Sequence, residues 1–592
     1  MGNAKEKVVA CCDRLGEKVR DAGLSADTAG KITAVAESAR GRELVVPVVG
    51  AFSAGKSTLI NNLLGRGVLP VDIRPETSLA TELRYSPSDY ILAVKENGES
   101  DRYTIEEIKT VTENAAKYQY AELHLNNPKL REIEPLVLVD MPGFDSPLDL
   151  HNKAILAYLD RGCHYVVLSS VEEGNITKSL ERRLNEIEGL GRGFSFFLSK
   201  SDLRPESEIK ELVAYYGQQL ADKFSGGQVV TMSNSAEEVV KCLKGIDVDA
   251  VFLKLYRDTL LIVCGEIISG INLAINSSKQ ESGKLKAAVE EMKNSIDKIK
   301  KKVASDVDFM RRRYSGNFAN EIVNEVGAAL DGSLEELCGV AISGGQDGLI
   351  QHINEIVRSA LSSSIREKLD GLNRQIALDF SESLQGLDKV MKDLDLDVDF
   401  IKNISVKVED ALKIAGTVLT DVLADPKQDP ADSTSKAALA GVAAVAFKPA
   451  VSMAAKVIGA GSLAVPIIGP VISVLIMFLP ELIGGIAKLF GGDTKAKQKE
   501  AISVKLSGEV FPSIKRRLRE EIPAQLEGEI ATMIQKVQEQ FEVQIKNQEE
   551  IINAQMAQKN SGMEEQEAAQ KKLEAVRGEV QGIDSEIRAW GK

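Results

Sequence analysis

The chain has 592 residues, 44% hydrophobic and 27% charged, with a formal net charge of −14. That length exceeds one ordinary core and predicts two or more structural units, while the acidic balance argues against nucleic acid as a partner. The six cysteines, at 11, 12, 163, 242, 264 and 338, lack ligand spacing, and no apolar run marks a signal peptide, so buried thiols in a cytoplasmic protein are expected.

Residues 1–40 carry a helical pattern with Val8, Leu15, Val19 and Ala22 on one side. From 43 to 245, short β-rich runs at 44–49, 136–139, 165–168, 194–198 and 229–232 alternate with helical patterns. Their continuous apolar character predicts a parallel sheet covered on both faces, in one α/β domain. No proline falls between 206 and 425 or between 524 and 592. Proline costs a helix interior about 3 kcal/mol, so these runs predict long helices. Leu285, Val289, Met292, Ile296 and Ile299 form one apolar stripe there, and Phe541, Ile545, Ile552 and Met556 another. Both read as a helix bundle without chemistry. Residues 425–436 read as a linker.

The first β-run leads into Gly50-Ala51-Phe52-Ser53-Ala54-Gly55-Lys56-Ser57-Thr58, the spacing of a phosphate-binding loop between strand and helix. Phosphate oxygens want backbone N–H groups at close range, backed by a helix N-terminus. Gly50 and Gly55 remove side chains that would block that approach. Lys56 is expected to neutralise the β and γ phosphates, and the Ser57 hydroxyl to ligate Mg²⁺.

Three later segments favour GTP over ATP. Asp140, in Val139-Asp140-Met141-Pro142-Gly143, would end a strand near Mg²⁺, with the Gly143 N–H turned to the γ-phosphate. In Ser199-Lys200-Ser201-Asp202, a carboxylate can accept both the N1 and N2 protons of guanine, which adenine does not offer. Lys200 would lay its stem across the base; for Asp202 an ordinary helix N-cap is the alternative. Ser233, in Thr231-Met232-Ser233-Asn234-Ser235, ends a strand where it can touch the base edge.

Residues 457–480 contain 24 residues without a charge, long enough for a membrane span, but Pro466 and Pro470 break the run. The pattern reads better as two apolar helices, about 437–464 and 471–490, joined by a turn. Lys448, Lys456 and Lys488 could reach phosphate headgroups, with Ile468 and Leu475 entering the lipid. Residues 436–499 hold seven lysines and two acids, a balance of +5 that favours an anionic lipid surface. A buried core hairpin and a true span are the alternatives.

In these motifs and their order the chain resembles the bacterial dynamin-like GTPases. The resemblance implies an α/β P-loop GTPase domain plus a long all-α helical-bundle stalk, neck and trunk, with an apolar helical-hairpin paddle at the tip. The corresponding divisions are a neck helix at 1–42, the GTPase domain at 43–245, neck and trunk at 246–436, the paddle at 437–492 and returning helices at 493–592. The chain would then run out along the middle helices, through the paddle and back. The family carries an essential threonine after the first helix, which implies Thr77, or Thr81 nearby, as an Mg²⁺ ligand beside Ser57 and Asp140. Lys56, Ser57, Thr77 and Ser53 are the implied catalytic residues. Nucleotide contacts are implied at Gly50, Ser53, Ala54, Gly55, Lys56, Ser57, Thr58, Asp140, Gly143, Lys200, Asp202 and Ser233. Ser53 matches a family serine that in some relatives supports a charge-compensating monovalent cation. Homodimers through the GTPase domain, a second dynamin-like protein and an anionic membrane are the implied partners.

Two departures bear on turnover. Phe52 stands where several dynamins place a water-orienting glutamine, and the base motif begins with Ser199 rather than Asn or Thr. Hydrolysis is therefore expected to be slow or to await dimerisation. The expected function is a GTPase that remodels membranes; the rivals are a GTP-regulated tether and a membrane-inserting effector.

Overall fold

The computed structural model describes residues 2–50, 54–70, 79–95, 98–141, 158, 161–189, 192–224, 230–232, 236–381, 384–393, 478–484, 495–559 and 563–590. The chain opens with two helices, α1 (Gly2–Asp21) and α2 (Ala26–Gly41), rather than the single one read from the periodicity. Gly23 turns left-handed at φ 62 and the Ser25 hydroxyl accepts from the Thr28 N–H, ending one helix and capping the next. Val8, Leu15, Val19 and Ala22 are all buried, as their shared side predicts.

The domain that follows is built on β1 (Leu44–Gly50), β2 (Thr81–Tyr85), β3 (Tyr90–Val94), β4 (Ser100–Tyr103), β5 (Tyr120–Leu125), β6 (Leu136–Asp140), β7 (His164–Ser170), β8 (Gly193–Ser199) and β9 (Val230–Met232). They form one sheet in the order β4-β3-β5-β2-β6-β1-β7-β8-β9. Strands β6, β1, β7, β8 and β9 are parallel, and β1 and β6 are buried throughout. The rest corrects the expectation of a parallel sheet. β2 runs antiparallel to β6, and β3 antiparallel to β4 and β5, so the sheet is mixed. Helix α3 (Lys56–Leu64) follows β1, α4 (Lys178–Gly189) follows β7, α5 (Glu206–Lys223) follows β8 and α6 (Ala236–Lys244) follows β9.

The helical part begins with α7 (Val248–Ser278), which turns into α8 (Ser282–Gly332), 51 residues long. Next come α9 (Leu334–Ser381), kinked at Gly345 where φ is +63, and α10 (Gln385–Asp393). Helices α11 (Lys495–Lys505), α12 (Phe511–Gln558) and α13 (Met563–Arg588) complete it. The stripe from Leu285 to Ile299 is buried, as are Phe541, Ile545 and Ile552, with Met556 half-buried. Helix α12 continues through Pro523, which the proline count alone would have ended, because Leu518, Ile522 and Leu526 are all buried along it.

Ion pairs and hydrogen bonds fix the helix directions. Helix α12 runs parallel to α7, since Gln544 donates to Glu266 and Gly270 approaches Ile551. It runs antiparallel to α8, through Lys293–Glu549 at 3.8 Å, Lys300–Glu542 at 3.2 Å and Lys515–Asp331 at 3.0 Å. The middle helices therefore go out along α7 and come back along α8, instead of running outward throughout. The returning end of α8 meets α4, where Lys178 Nζ donates to the Gly332 carbonyl at 3.3 Å. Arg182 there lies 3.8 Å from both Glu336 and Glu355.

Helix α7 is the one helix among the described residues long and apolar enough to cross a membrane. It is a core helix: Phe252, Tyr256, Leu260, Val263, Ile267 and Ile271 are buried. Around it, α1 pairs with α13 through Arg14–Glu586 and Lys18–Glu579, and Lys31 of α2 pairs with Glu266 of α7. Of the apolar segment 437–492, residues 478–484 are described; they are helical, with Leu479 and Ile483 buried. Lys448, Lys456, Ile468, Leu475 and Lys488 lie outside the described residues.

Candidate nucleotide site

Strand β1 ends at Gly50, whose neighbour on β7 is Leu168. A Cβ on Gly50 would stand 2.5 Å from the Leu168 carbonyl, so only glycine fits where the chain leaves the sheet. Gly55 has φ +83 and stands at the N-cap of α3, a left-handed conformation that favours glycine. The first N–H groups of α3 lack partners within the helix and form an anion-binding end. Ala54 is buried against the sheet and Thr58 is exposed on the first turn.

Lys56 is 5% exposed and its Nζ lies 3.1 Å from the Gly50 carbonyl, so the ammonium is held at the carboxyl end of β1. The Ser57 hydroxyl donates to Asp140 Oδ2 at 2.8 Å, joining α3 to the end of β6. Asp140 has no exposed surface, and its other oxygen is buried without a hydrogen-bond partner. Burial pushes its carboxyl up to about 6, against the lowering effects of the Ser57 hydrogen bond and the Lys56 charge.

The orphaned carboxylate oxygen beside a hydroxyl fits Mg²⁺, which takes a few protein oxygens and completes its shell with waters and nucleotide phosphates. No group of three or more His, Cys, Asp or Glu side chains placed to hold a metal ion occurs among the described residues. Thr81 is a buried β2 residue whose hydroxyl donates to the Leu79 carbonyl at 3.2 Å; its Cα pairs with Asp140 across the strands. Thr77, Ser53, Phe52, Gly143 and Ser233 lie outside the described residues.

The end of β8 meets the loop from the other side. The Ser199 Cβ is 4.0 Å from a Cβ built on Gly55, and its hydroxyl donates to the Ser169 carbonyl at 3.2 Å. Lys200 takes a left-handed φ of 58, a conformation a non-glycine residue holds against strain of order 1–3 kcal/mol. Its ammonium pairs with Glu172 at 2.6 Å, which anchors the stem at the rim. Asp202 is exposed on the short turn Ser201–Leu203. The structure thus brings Gly50, Gly55, Lys56, Ser57, Asp140, Lys200 and Asp202 to the carboxyl ends of β1, β6 and β8, where open α/β sheets bind ligands. Sequence reasoning missed a second group, the buried charges on β2 and β5; alternation of apolar and charged residues marks these segments as strands but does not show that their charged side is buried.

The sequence pattern of the Dynamin family matches residues 46–193. Dynamin-like protein 2 of Campylobacter jejuni is 31% identical over 175 residues, covering 29% of this chain and 28% of that protein. A solved oligomerised bacterial dynamin pair, described as a mechanism for long-range sensing and tethering of membranes, is 14% identical. It covers 95% of this chain and 92% of that one at a TM-score of 0.33. The LeoA bacterial dynamin GTPase from ETEC is 15% identical, covering 89% and 98% of the two chains at a TM-score of 0.28. Those scores are too low to equate the whole-chain arrangements. The chain spans less than half the length of the curated relatives it matches. Residues 46–193 of this chain thus match the Dynamin family, and over that region the chain is similar to bacterial dynamin-like proteins.

Proposed function

We propose that this protein binds GTP with Mg²⁺ at the rim of its sheet, hydrolyses it, and uses the cycle at a membrane. The observation that carries the reading is the Ser57–Asp140 pair, with one carboxylate oxygen buried and unpartnered, where the first turn of α3 meets the end of β6. In this reading Gly50, Ala54, Gly55 and Thr58 present backbone to the phosphates, and Lys56 leaves the Gly50 carbonyl for the β and γ oxygens. Ser57, Asp140 and Thr77 hold Mg²⁺, which neutralises phosphate charge when bound. Gly143 and Ser53 face the γ-phosphate side, Ser53 with a monovalent cation. Asp202 accepts from guanine N1 and N2, Lys200 covers the base, and Ser233 meets its edge.

The membrane half of the reading rests on the uncharged run 457–480, its flanking lysines and the resemblance. Residues 437–492 would dip into one anionic leaflet, with Lys448, Lys456 and Lys488 at the headgroups and Ile468 and Leu475 inside. Homodimers through the nucleotide face, or pairing with a second dynamin-like protein, would join the site to turnover. Phe52 in place of glutamine supports a second reading, a GTP-regulated tether that hydrolyses little.

Calorimetry with a non-hydrolysable GTP analogue tests the core of this. Wild type is expected to bind in an Mg²⁺-dependent way, and Lys56→Ala to lose at least about 100-fold in affinity, the 2–3 kcal/mol of a charged hydrogen bond and more. Equal affinity in the two proteins would remove the loop from the site. Co-sedimentation with anionic liposomes, with phosphate release read in the same tubes, separates the rest. Stimulated turnover favours the remodelling GTPase, binding without turnover favours the tether, and vesicle leakage favours an inserting effector.

A further inference from the structure

Beside the nucleotide rim lies a buried group of charges that the reading above leaves unused. Glu82 of β2 is fully buried and takes three donors. They are Tyr158 Oη at 2.6 Å, Arg161 Nη2 at 3.0 Å and Arg84 Nη2. Arg84 grips Glu43 through both terminal nitrogens, Nη2 at 2.7 Å, and lies 3.6 Å from Glu122. His124 meets Glu122 at 2.7 Å. Arg161 lies over the Tyr158 ring at 4.7 Å, and its carbonyl accepts from Arg42 Nη2 at 3.4 Å.

The positions of these residues give the cluster its meaning. Arg42 and Glu43 are the only residues between α2 of the neck and β1. Glu82 is next to Thr81, whose Cα pairs with Asp140 across β2 and β6. Arg161 stands just before β7, where Gly162 bridges to Val45 of β1. One carboxylate therefore gathers the strand that registers Asp140, the approach to β7 and, through two guanidinium groups, the link to the neck. The Glu82 carboxylate is satisfied, although Arg84 Nε is buried without a hydrogen-bond partner; a buried charge network of this kind resists displacement, because each pair sits in low dielectric and a shift leaves a charge unpaired.

We propose that Glu82 is a positioning residue that ties the Asp140 side of the site to the neck link at Arg42 and Glu43. This rests on the nucleotide reading above. When the Asp140 rim adjusts to nucleotide, β2 moves with it, and Arg84 and Arg161 carry the change to the link. The alternative is a purely structural role, in which the cluster only glues the sheet.

The test uses the full chain with spin labels at Asp13→Cys on α1 and Glu211→Cys on α5, both exposed positions. The distance distribution is read with and without a non-hydrolysable GTP analogue, beside calorimetric affinity. Wild type is expected to shift on binding. Glu82→Gln, of equal size, should bind within about threefold of wild type yet lose at least half of the shift. Glu82→Asp, which keeps the charge, should recover part of it. A full shift in Glu82→Gln overturns the proposal, as does a wild type that binds without shifting. Should Glu82→Gln fail to fold, Tyr158→Phe and the half-exposed Glu43→Gln carry the test, and an unchanged shift in both overturns it. A wild type that binds no analogue at all is a different result: the nucleotide reading falls, and this coupling with it.

Discussion

Two buried carboxylates stand on paired strands and differ in almost everything else. Asp140, at the nucleotide rim, receives one hydrogen bond, from Ser57, and keeps one oxygen buried without a partner. Glu82, in the cluster beside the link between α2 and β1, receives three donors, two of them guanidinium groups. Burial is the same and satisfaction is not. Native chains satisfy nearly all buried polar atoms, so an orphaned one needs a reason, and a ligand that brings its own charge supplies one. A saturated carboxylate instead holds together what is already present. The contrast separates a residue that waits for a partner from one that joins its neighbours.

The largest expected effect follows from the saturated side. Glu82→Ala would remove the carboxylate that pairs with the buried Arg161 and one of the three that face Arg84. Breaking a buried pair from one side costs about 3–5 kcal/mol. Urea unfolding should show a loss of that size; a loss below about 1 kcal/mol would make the cluster dispensable and erase the contrast.

The under-satisfied side predicts the opposite sign. The Asp140 carboxyl is raised to about 6, so at neutral pH the folded protein bears an ionised group it disfavours. Each pKa unit corresponds to about 1.4 kcal/mol, so Asp140→Asn should stabilise the nucleotide-free protein by up to roughly 3 kcal/mol. The same change should weaken Mg²⁺-dependent analogue binding by about tenfold or more. Thermal melts and calorimetry on one preparation check both. A destabilised Asp140→Asn would show that the carboxylate serves the fold and not a ligand.

This difference also marks what the sequence made legible. The rim was readable because glycines at 50 and 55, a lysine and a hydroxyl carry a spacing that only phosphate binding demands. The apolar strands were readable because continuous burial leaves continuous apolar runs. Strands β2 and β5 were not, since Glu82, Arg84, Glu122 and His124 alternate with apolar residues and imitate a solvated face. These residues are buried because each meets a partner, Glu82 with Arg84 and Glu122 with His124 along the strands, and Glu43 and Arg161 from segments distant in sequence, which the alternation alone does not reveal. The stripes on α8 and α12 predicted burial correctly but not direction; that α8 returns to the nucleotide domain depends on Lys178 and Arg182 of α4. Helix α7, the one helix among the described residues long and apolar enough to cross a membrane, was not legible as such because Lys254, Arg257, Asp258 and Glu266 interrupt its apolar run, whereas 457–480 carries no charge.

The smallest expected effect sharpens the contrast by protonation. A metal ligand must be deprotonated, so Mg²⁺-linked affinity for the analogue should be flat above pH about 6 and fall about tenfold per unit below it. Stability should move the other way. The penalty of the raised carboxyl is full above pH about 6 and fades towards pH about 4, so the nucleotide-free fold gains from this group as acid is added. Ser57→Ala removes the hydrogen bond that holds the carboxyl down, which leaves burial opposed only by Lys56. The break in the affinity profile should then move to higher pH, on top of a general loss from the missing hydroxyl. Glu82→Gln should leave the break where it is, because the partners of Glu82 are Tyr158, Arg84 and Arg161, whereas Asp140 answers to burial, Ser57 and Lys56. Calorimetry of the three proteins across pH about 5 to 8 reads the break directly. A break that stays in place in Ser57→Ala would mean that the Ser57 hydroxyl does not set the charge of Asp140; a break displaced by Glu82→Gln would mean that the two carboxylates form one site.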